Sequence, residues 1–306
     1  MVETDPMYTN EQQAAVNDIS LNYDSFGNPS HPAMILIMGL ATQMIFWDSQ
    51  MCRKIAQQGF WVIRFDNRDI GKSSKLNQAK IPHGLAYMLN VLFGKKMNSP
   101  YHLSDMAADT LGLMDVLNID RAHIIGASMG GMIAQLIAIK APQRVISLTS
   151  IMSTTGNRSL PRASNSTILK LMGTPAKNLD DYVKQGLVIW KILHAEFYPF
   201  DAEKVSQLLT QSWQRGVSAA GMSRQLAAIL ASSDRTSDLT KVQIPTLVVH
   251  GEIDPLLPLA CGIATAKAIP NAKLVTYSGM GHTIPQEIQM EVLTEIVTLA
   301  KQAAEL

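Results

Sequence analysis

Short, almost continuous apolar runs alternate along this chain with longer segments whose apolar positions suit helices. Six of the runs have the length and content of strands that are buried on both faces, and they cover residues 33–38, 60–65, 123–125, 144–150, 245–250 and 272–277. Helices are predicted over residues 43–58, from Ser104 as N-cap to about 117, over 132–140 and from about 285 to 304. Buried strands separated by helices predict an α/β fold, with a mostly parallel sheet and helices on both faces.

The alternation of strands and helices stops after about residue 153 and resumes at about residue 237. The stretch between contains no convincing strand, and its helix-like pieces are residues 179–197 and 202–215. Because this stretch stands between two predicted strands, we expect residues 154–236 to form a helical cap (lid) domain. The cap would be inserted into an α/β core domain formed by residues 1–153 and 237–306.

Composition limits the classes of function. The chain has 306 residues, of which 47% are hydrophobic and 17% charged, so a sizeable core is available. The net charge is +1 and no long run of one sign occurs, which gives no electrostatic reason to expect nucleic acid or an anionic membrane as a partner. The two cysteines, Cys52 and Cys261, form neither a disulfide framework nor a metal or redox motif, so no cofactor and no metal are expected.

The N-terminal segment lacks the basic region and the apolar stretch of a secretory signal. The strongest apolar run, residues 33–40, is far shorter than the roughly 20 residues that cross a bilayer. We therefore expect a soluble cytoplasmic protein, either a monomer or a homodimer.

The most specific motif is G-x-S-x-G at residues 126–130, with Ser128 at its centre. A predicted strand precedes it and a helix-forming segment follows it. In this context the flanking glycines allow a sharp turn, and the serine hydroxyl is exposed at a helix N-terminus, where free N–H groups favour a developing negative charge. The pattern predicts a nucleophile elbow with Ser128 as nucleophile. A tight turn that happens to contain serine is the alternative.

A serine nucleophile needs a base, and the base needs a group that orients it. Of the seven histidines, His282 follows the last predicted strand in a glycine-rich loop and comes last in the chain, as this kind of site requires. Asp254 stands in a turn after the strand at residues 245–250 and is the expected orienting acid, with Glu252 as its rival. His250 ends that strand and suits a structural hydrogen bond.

An oxyanion hole needs two backbone N–H groups that point at one position. Met129, which follows the nucleophile, supplies one of them in this type of site. The other is expected from Leu40, because Gly39 allows the backbone to turn directly after the strand at residues 33–38. An ordinary turn at Gly39 is the alternative.

With these residues in place, the chain resembles the α/β-hydrolase superfamily over nearly its whole length, and within it the bacterial carboxylesterases related to aclacinomycin methylesterase. The matching stretches are residues 37–40, 46–47, 65–74, 126–134 and 150–156. The resemblance implies an α/β-hydrolase fold, with Ser128, Asp254 and His282 as the triad and Leu40 and Met129 as the oxyanion hole. Many relatives have His-Gly where this chain has Met38-Gly39, but that histidine is not a triad member. The cap is the region that matches least.

Four apolar residues are candidates for a substrate pocket: Trp47, Met88, Trp190 and Trp213. Met88 belongs to an apolar stretch at residues 85–93, which either forms a short helix at the mouth of a pocket or packs on the core. Asp66, Arg68 and Asp69 follow the strand at residues 60–65. We interpret them as a hydrogen-bonded loop that supports the site rather than as further catalytic groups.

These residues favour a serine carboxylic-ester hydrolase that acts through an acyl-enzyme on small to medium esters. The same triad also suits a lactonase, a carbon–carbon bond hydrolase or a perhydrolase. Outside enzymes, the alternative is a protein of this fold that binds a ligand without catalysis. Dehalogenase and epoxide hydrolase chemistry is disfavoured, because it uses a carboxylate nucleophile in this fold and position 128 is serine.

Overall fold

The apolar runs of the sequence form the centre of one sheet in the computed structural model, which describes residues 7–80, 85–172 and 176–305. The strands within these ranges are β1 (Tyr8–Val16), β2 (Ile19–Phe26), β3 (Ala33–Ile37), β4 (Trp61–Phe65), β5 (Ala122–Ala127), β6 (Val145–Ile151), β7 (Thr246–Gly251) and β8 (Lys273–Tyr277). Their order across the sheet is β1-β2-β4-β3-β5-β6-β7-β8.

Strands β3 to β8 correspond to the six predicted strands, and each pairs in parallel with its neighbours among them. Every residue of β3, β4, β5 and β7 is buried. Because these strands are covered on both faces, their sequences are almost continuously apolar. The prediction of a mostly parallel sheet is confirmed.

The apolar pattern does not predict β1 and β2, which form an antiparallel hairpin at the edge of the sheet. β2 also pairs antiparallel with β4 and so joins the hairpin to the parallel strands. In β1 the buried residues are Ala14 and Val16, and most other positions are polar. An edge strand with so little buried surface needs no apolar run, which explains why the sequence pattern missed it.

Helices cover both faces of the sheet. α1 (Ser49–Ala56) and α11 (Gln289–Ala304) pack on one face, and α3 (Leu103–Val116), α4 (Met129–Lys140) and α10 (Leu259–Ala268) on the other. The core therefore consists of two apolar layers with the sheet between them.

The helix predicted over residues 43–58 is shorter and begins later. Met44–Phe46 form a separate 3-10 turn, and the side chain of Asp48 then accepts hydrogen bonds from the amides of Gln50 and Met51. This cap fixes Ser49 as the first residue of α1, because an Asp at this position satisfies N–H groups that have no partner within the helix.

The start predicted for α3 is also wrong. The helix begins at Leu103 and not after Ser104. The amide of His102 donates a 2.7 Å hydrogen bond to the Asp105 carboxylate, so the acidic residue in the first turn, rather than a serine hydroxyl, closes the helix start.

Between β6 and β7 the described residues form helices and no strand. They are α5 (Asn165–Met172), α6 (Leu179–His194), α7 (Ala202–Arg215), α8 (Ala219–Ala231) and α9 (Thr236–Leu239). We refer to α5–α8 as the insert helices. α6 ends at His194, before the predicted end at 197, and packs against α7.

The apolar stretch at residues 85–93 forms α2 (Leu85–Phe93), which contacts the insert helix α5. Across the described ranges, no helix combines the length and the apolar content needed to cross a membrane.

Candidate active site

Three loops at the carboxyl ends of parallel strands bring together a serine, a histidine and an aspartate. Ser128 follows β5, Asp254 follows β7 and His282 follows β8. Nε2 of His282 lies 2.9 Å from Oγ of Ser128, and Nδ1 of His282 lies 2.6 Å from Oδ2 of Asp254. In this order the imidazole can take the serine proton while the carboxylate fixes the imidazole tautomer.

The backbone at Ser128 is strained, with φ of +56° and ψ of −117°, a combination that residues other than glycine rarely adopt. Its amide donates a 2.9 Å hydrogen bond to the carbonyl of Ile151, which holds the turn in place. A Cβ on Gly126 would lie 2.1 Å from the carbonyl oxygen of Gly130, and a Cβ on Gly130 would lie 2.1 Å from that of Ile37. Packing therefore requires both glycines of the motif.

Asp254 is fixed from both sides of its carboxylate. Oδ1 accepts 2.8 Å hydrogen bonds from the amides of Leu256 and Leu257, which leaves Oδ2 for His282. The rival acid, Glu252, is exposed and accepts a 3.0 Å hydrogen bond from the hydroxyl of Thr276. Of the two carboxylates, only that of Asp254 reaches the imidazole.

The insert helix α6 positions the loop that carries His282. The amide of His282 donates a 2.6 Å hydrogen bond to the carbonyl of Leu193, and Nδ1 of His194 lies 2.9 Å from Oγ1 of Thr283. Residues at the end of an insert helix thus hold the loop of His282, although the sequence offers no signal for this contact.

His250 lies behind the aspartate, fully buried. Its Nε2 is 2.8 Å from the carbonyl oxygen of Leu257 and 3.7 Å from Oδ2 of Asp254. Burial lowers the pKa of His250, which keeps the ring neutral and lets Nε2–H donate to that carbonyl. The structural hydrogen bond expected at this position is present.

The loop after β3 lies directly against Ser128. A Cβ on Gly39 would lie 3.2 Å from Cβ and 3.8 Å from Oγ of Ser128, and the next residue, Leu40, lines the same cavity as Ser128. The amide of Ala41 donates a 2.9 Å hydrogen bond to Oε1 of Gln225 in α8, which fixes the loop. Met129 is the first residue of α4, where an amide has no partner within the helix.

A family model described as the alpha/beta hydrolase fold matches residues 32–285. The chain belongs to the α/β-hydrolase fold family. Rhodomycin D methylesterase of Streptomyces peucetius is 23% identical over 94% of this α/β hydrolase and 97% of its own length. 3-oxoadipate enol-lactonase 2 of Acinetobacter baylyi is 26% identical over 84% of each chain. The solved structure of an enol-lactonase from Burkholderia xenovorans has a TM-score of 0.70 at 19% identity, covering 95% of this chain and 100% of that one, a likeness of fold alone.

In this α/β hydrolase, Ser128 and His282 open into a cavity of about 1200 Å³ that the insert helices cover. Three of the four candidate pocket residues line it: Trp47, Trp190 and Trp213. The expectation for Met88 is wrong, because its side chain is 45% exposed on the outer side of α2, and Tyr87 and Val91 line the cavity instead. The sequence identified the apolar helix but not which of its faces points inward.

Charged side chains are few on the cavity wall of the hydrolase. Those among the described lining residues are Asp48, Asp201, Lys204 and Glu287. Nζ of Lys204 lies 2.8 Å from Oδ2 of Asp48, so its charge is already paired. The described wall therefore offers no unpaired lysine or arginine to a bound molecule.

The loop after β4 connects the core of the hydrolase to the insert helices through ion pairs. Nη2 of Arg224 in α8 lies 2.6 Å from Oδ1 of Asp69, and Nη2 of Arg215 in α7 lies 2.5 Å from Oδ2 of Asp66. Burial would raise the pKa of Asp69, but hydrogen bonds from groups that include Arg224 outweigh it and hold that pKa below its usual range. These contacts agree with the supporting role expected for this loop.

Proposed function

We propose that this α/β hydrolase is a serine carboxylic-ester hydrolase. The observation that carries the proposal is the hydrogen-bonded series Ser128, His282 and Asp254, with separations of 2.9 and 2.6 Å, at the wall of an apolar cavity. The relative that is similar over 94% of the chain is named a methylesterase, which supports the same reaction class.

In the proposed reaction, His282 takes the proton of Ser128 as Oγ attacks the ester carbonyl carbon. The amides of Leu40 and Met129 stabilise the oxyanion that forms. When the carbon–oxygen bond to the alcohol breaks, His282 donates its proton to the leaving alkoxide, and the acyl group remains on Ser128. Water then loses a proton to His282 and attacks the acyl carbon. His282 returns this proton to Oγ of Ser128 as the bond between Oγ and the acyl carbon breaks, which releases the acid and restores the enzyme. Asp254 stays ionised and stabilises the imidazolium.

We assign the role of a cap to residues 154–236. The insert helices α6, α7 and α8 contribute Trp190, Trp213 and Leu226 to the cavity wall, so this segment sets the shape of the space beside Ser128. A cavity of about 1200 Å³ is larger than the about 300–1000 Å³ of most ligand pockets, which favours an ester with a bulky apolar acyl or alcohol group.

The charge of the wall favours a neutral ester. Lys204 is the one lysine or arginine among the described lining residues, and Asp48 already neutralises it. A lactone or a carbon–carbon bond substrate that carries a carboxylate would bury that charge without a partner, which is costly.

The proposal is tested by the hydrolysis of p-nitrophenyl esters of increasing acyl length. We expect Ser128→Ala to lower kcat by at least about 1000-fold, because the residual rate comes from binding and the oxyanion hole alone. Ser223→Ala, a change to another serine of the cavity wall, is the matched control and should retain most activity. Full activity of Ser128→Ala would refute the proposal.

Two further outcomes would reassign the site. A folded wild-type protein whose Ser128 is not labelled by a fluorophosphonate would indicate a ligand-binding protein without catalysis. If esters were hydrolysed no faster than without enzyme while a lactone or a diketone was cleaved rapidly, the protein would be a lactonase or a carbon–carbon bond hydrolase that uses the same triad.

A further inference from the structure

The charge of this protein is unevenly distributed. Residues 70–104 contain five lysines, residues 152–179 contain four lysines and arginines, and neither segment contains an aspartate or a glutamate. The two segments thus hold nine of the 26 basic residues and none of the 25 acidic ones. A net charge of +1 for the whole chain conceals this local excess.

These two segments meet in the fold. α2 contacts α5, and the guanidinium groups of Arg158 and Arg162 donate hydrogen bonds to the carbonyls of Gly94 and Leu92, at 3.3 and 3.1 Å. Because these acceptors are carbonyls, the two positive charges are not neutralised there. The exposed basic residues of the two segments are Lys72, Lys80, Lys95, Lys96, Arg158, Arg162, Lys170 and Lys177. Lys72 pairs with Glu11, and no described carboxylate forms an ion pair with any of the other seven.

Apolar side chains are exposed on the same surface. The exposed fractions of Met88, Leu89 and Phe93 on α2 are 45%, 41% and 52%, and that of Leu169 on α5 is 53%. We define the α2–α5 patch by six of these side chains: Met88, Leu89, Phe93, Lys95, Leu169 and Lys170.

The patch lies on the outer side of the cavity wall. Tyr87 and Val91 of α2, and Ile168 and Leu171 of α5, line the cavity with the opposite faces of the same two helices. Within the described ranges, α2 and α5 therefore stand between the exposed apolar patch and the cavity that Ser128 lines.

We propose that the α2–α5 patch docks on the surface of an anionic phospholipid bilayer, from which an apolar ester passes between or around α2 and α5 into the cavity. Exposed Phe, Leu and Met side chains among lysines fit the interface of a bilayer, where apolar groups enter the acyl boundary and cations meet lipid phosphates. The transfer of substrate rests on the proposed function, whereas the docking does not.

The charge of the patch favours a bilayer over a second copy of the chain. In a twofold dimer the same surface would face itself, and its uncompensated lysines would lie opposite lysines. An anionic bilayer instead supplies the charge that the two segments lack.

The test is co-sedimentation of the full chain carrying Ser128→Ala with vesicles of phosphatidylcholine alone or of phosphatidylcholine with about one third phosphatidylserine. We expect binding to the anionic vesicles only, and its loss at about 1 M salt, where surface charges are screened. Since this variant cannot turn over an ester by the proposed route, the result does not depend on catalysis.

Two sets of variants locate the binding surface. Lys95→Glu with Lys96→Glu should weaken binding to anionic vesicles at least about 25-fold, because each lysine near an anionic surface contributes about fivefold. Phe93→Asp should also weaken it. The controls are Lys140→Glu with Lys267→Glu, and Val116→Asp, which alter exposed residues near the C-terminal ends of α4, α10 and α3, outside the α2–α5 patch. They should bind as the parent does.

Three results would overturn the proposal: no binding to anionic vesicles, equal binding to neutral ones, or equal weakening by the control variants. Light scattering without lipid adds a further decisive outcome. If the parent is a dimer that Phe93→Asp dissociates, the patch is an interface between copies and not a lipid surface. Ester hydrolysis by the wild-type protein in lipid-free buffer is measured separately, so failure of the docking proposal and failure of the proposed function are distinguishable.

Discussion

At the scale of single residues, the two hydrogen bonds to Oδ1 of Asp254 make this carboxylate a fixed acceptor for His282. In Asp254→Asn, the side chain keeps its size but loses the charge that stabilises the imidazolium and selects the tautomer. We expect kcat for a p-nitrophenyl ester to fall by about 10³–10⁴-fold with little change in the thermal unfolding temperature. Glu252→Gln is the matched control and should change kcat less than about twofold. If the two variants lose activity equally, Asp254 is not the orienting acid.

The buried ring of His123 should make the stability of the protein depend on pH. Its ring is fully buried, with Nδ1 2.8 Å from Oγ of Ser147, and burial together with the nearby charge of Arg121 lowers its pKa from 6.5 to about 4. The unfolded chain therefore binds a proton at a pH where the folded chain does not. The free energy of unfolding should fall as pH drops from about 6.5 to about 4, by up to roughly 3 kcal/mol from this group.

Urea denaturation of the wild type and of His123→Gln at about pH 7 and about pH 4.5 measures this contribution. The variant should lose less free energy of unfolding between the two pH values than the wild type does. His31→Gln changes an exposed histidine and should leave the wild-type difference unaltered. Equal pH dependence in all three proteins would contradict the assignment.

The sequence predicted the site residues that stand close to strand ends, and it missed those that depend on distant packing. Ser128, Asp254 and His282 each follow a recognisable apolar strand, so their meeting is a consequence of parallel strand order. Arg224 reaches Asp69 from 155 residues further along the chain, and no local pattern marks such a pair. The error at Met88 has a similar origin, because a helix that is apolar all round does not reveal which face turns inward.

At the scale of elements, the ion pair between α8 and the loop after β4 should stabilise the attachment of the insert helices. Both side chains of Arg224 and Asp69 are almost fully buried, at 2% and 0% exposure. Arg224→Leu would leave the Asp69 carboxylate buried without its cation, and we expect the free energy of unfolding to fall by about 3 kcal/mol. Urea denaturation measures this loss.

The pair between Lys204 and Asp48 provides the matched control. It too joins an insert helix to the core, since it links α7 to the start of α1, but its side chains are 42% and 21% exposed. Lys204→Gln should therefore cost less than about 1 kcal/mol. In Arg224→Leu with Asp69→Asn, the buried charge is removed as well, so part of the loss should be recovered. A cost of Arg224→Leu no larger than that of Lys204→Gln would show that the buried pair does not hold these elements together.

The burial of each element decides whether the sequence pattern could predict it. Strands β3, β4, β5 and β7 are buried at every residue and appear in the sequence as apolar runs, whereas the edge strand β1 buries few side chains and is mostly polar. The first residue of a helix was harder to predict than the presence of the helix. Asp48 and Asp105 supply the capping carboxylates, but other polar residues nearby are equally plausible caps from the sequence.

At the scale of the whole molecule, the total charge and the local charge lead to different conclusions. A net charge of +1 gave no reason to expect an anionic surface as partner, yet the fold gathers two segments without acidic residues on one side. The segments are 48 or more residues apart in the sequence, so only their contact through α2 and α5 makes the excess visible. The same two helices also bound the cavity, which places that charge outside and apolar side chains inside.

The cavity itself makes the last prediction, on charge selectivity. Because Lys204 is the one lysine or arginine among the described lining residues and is paired with Asp48, an ester whose acyl chain ends in a carboxylate should have a kcat/KM at least about 100-fold below that of its neutral analogue. Gln185→Arg places a cation on the cavity wall from α6. It should reduce the difference in kcat/KM between the neutral and the carboxylate ester at least about tenfold, chiefly by lowering KM for the carboxylate ester. Gln211→Arg adds the same charge on the exposed side of α7, outside the cavity, and should leave the ratio unchanged. If the wild type has nearly equal kcat/KM for the two esters, the wall does not select against charge. If Gln211→Arg changes the ratio of the two kcat/KM values as much as Gln185→Arg does, the effect comes from overall charge and not from the cavity.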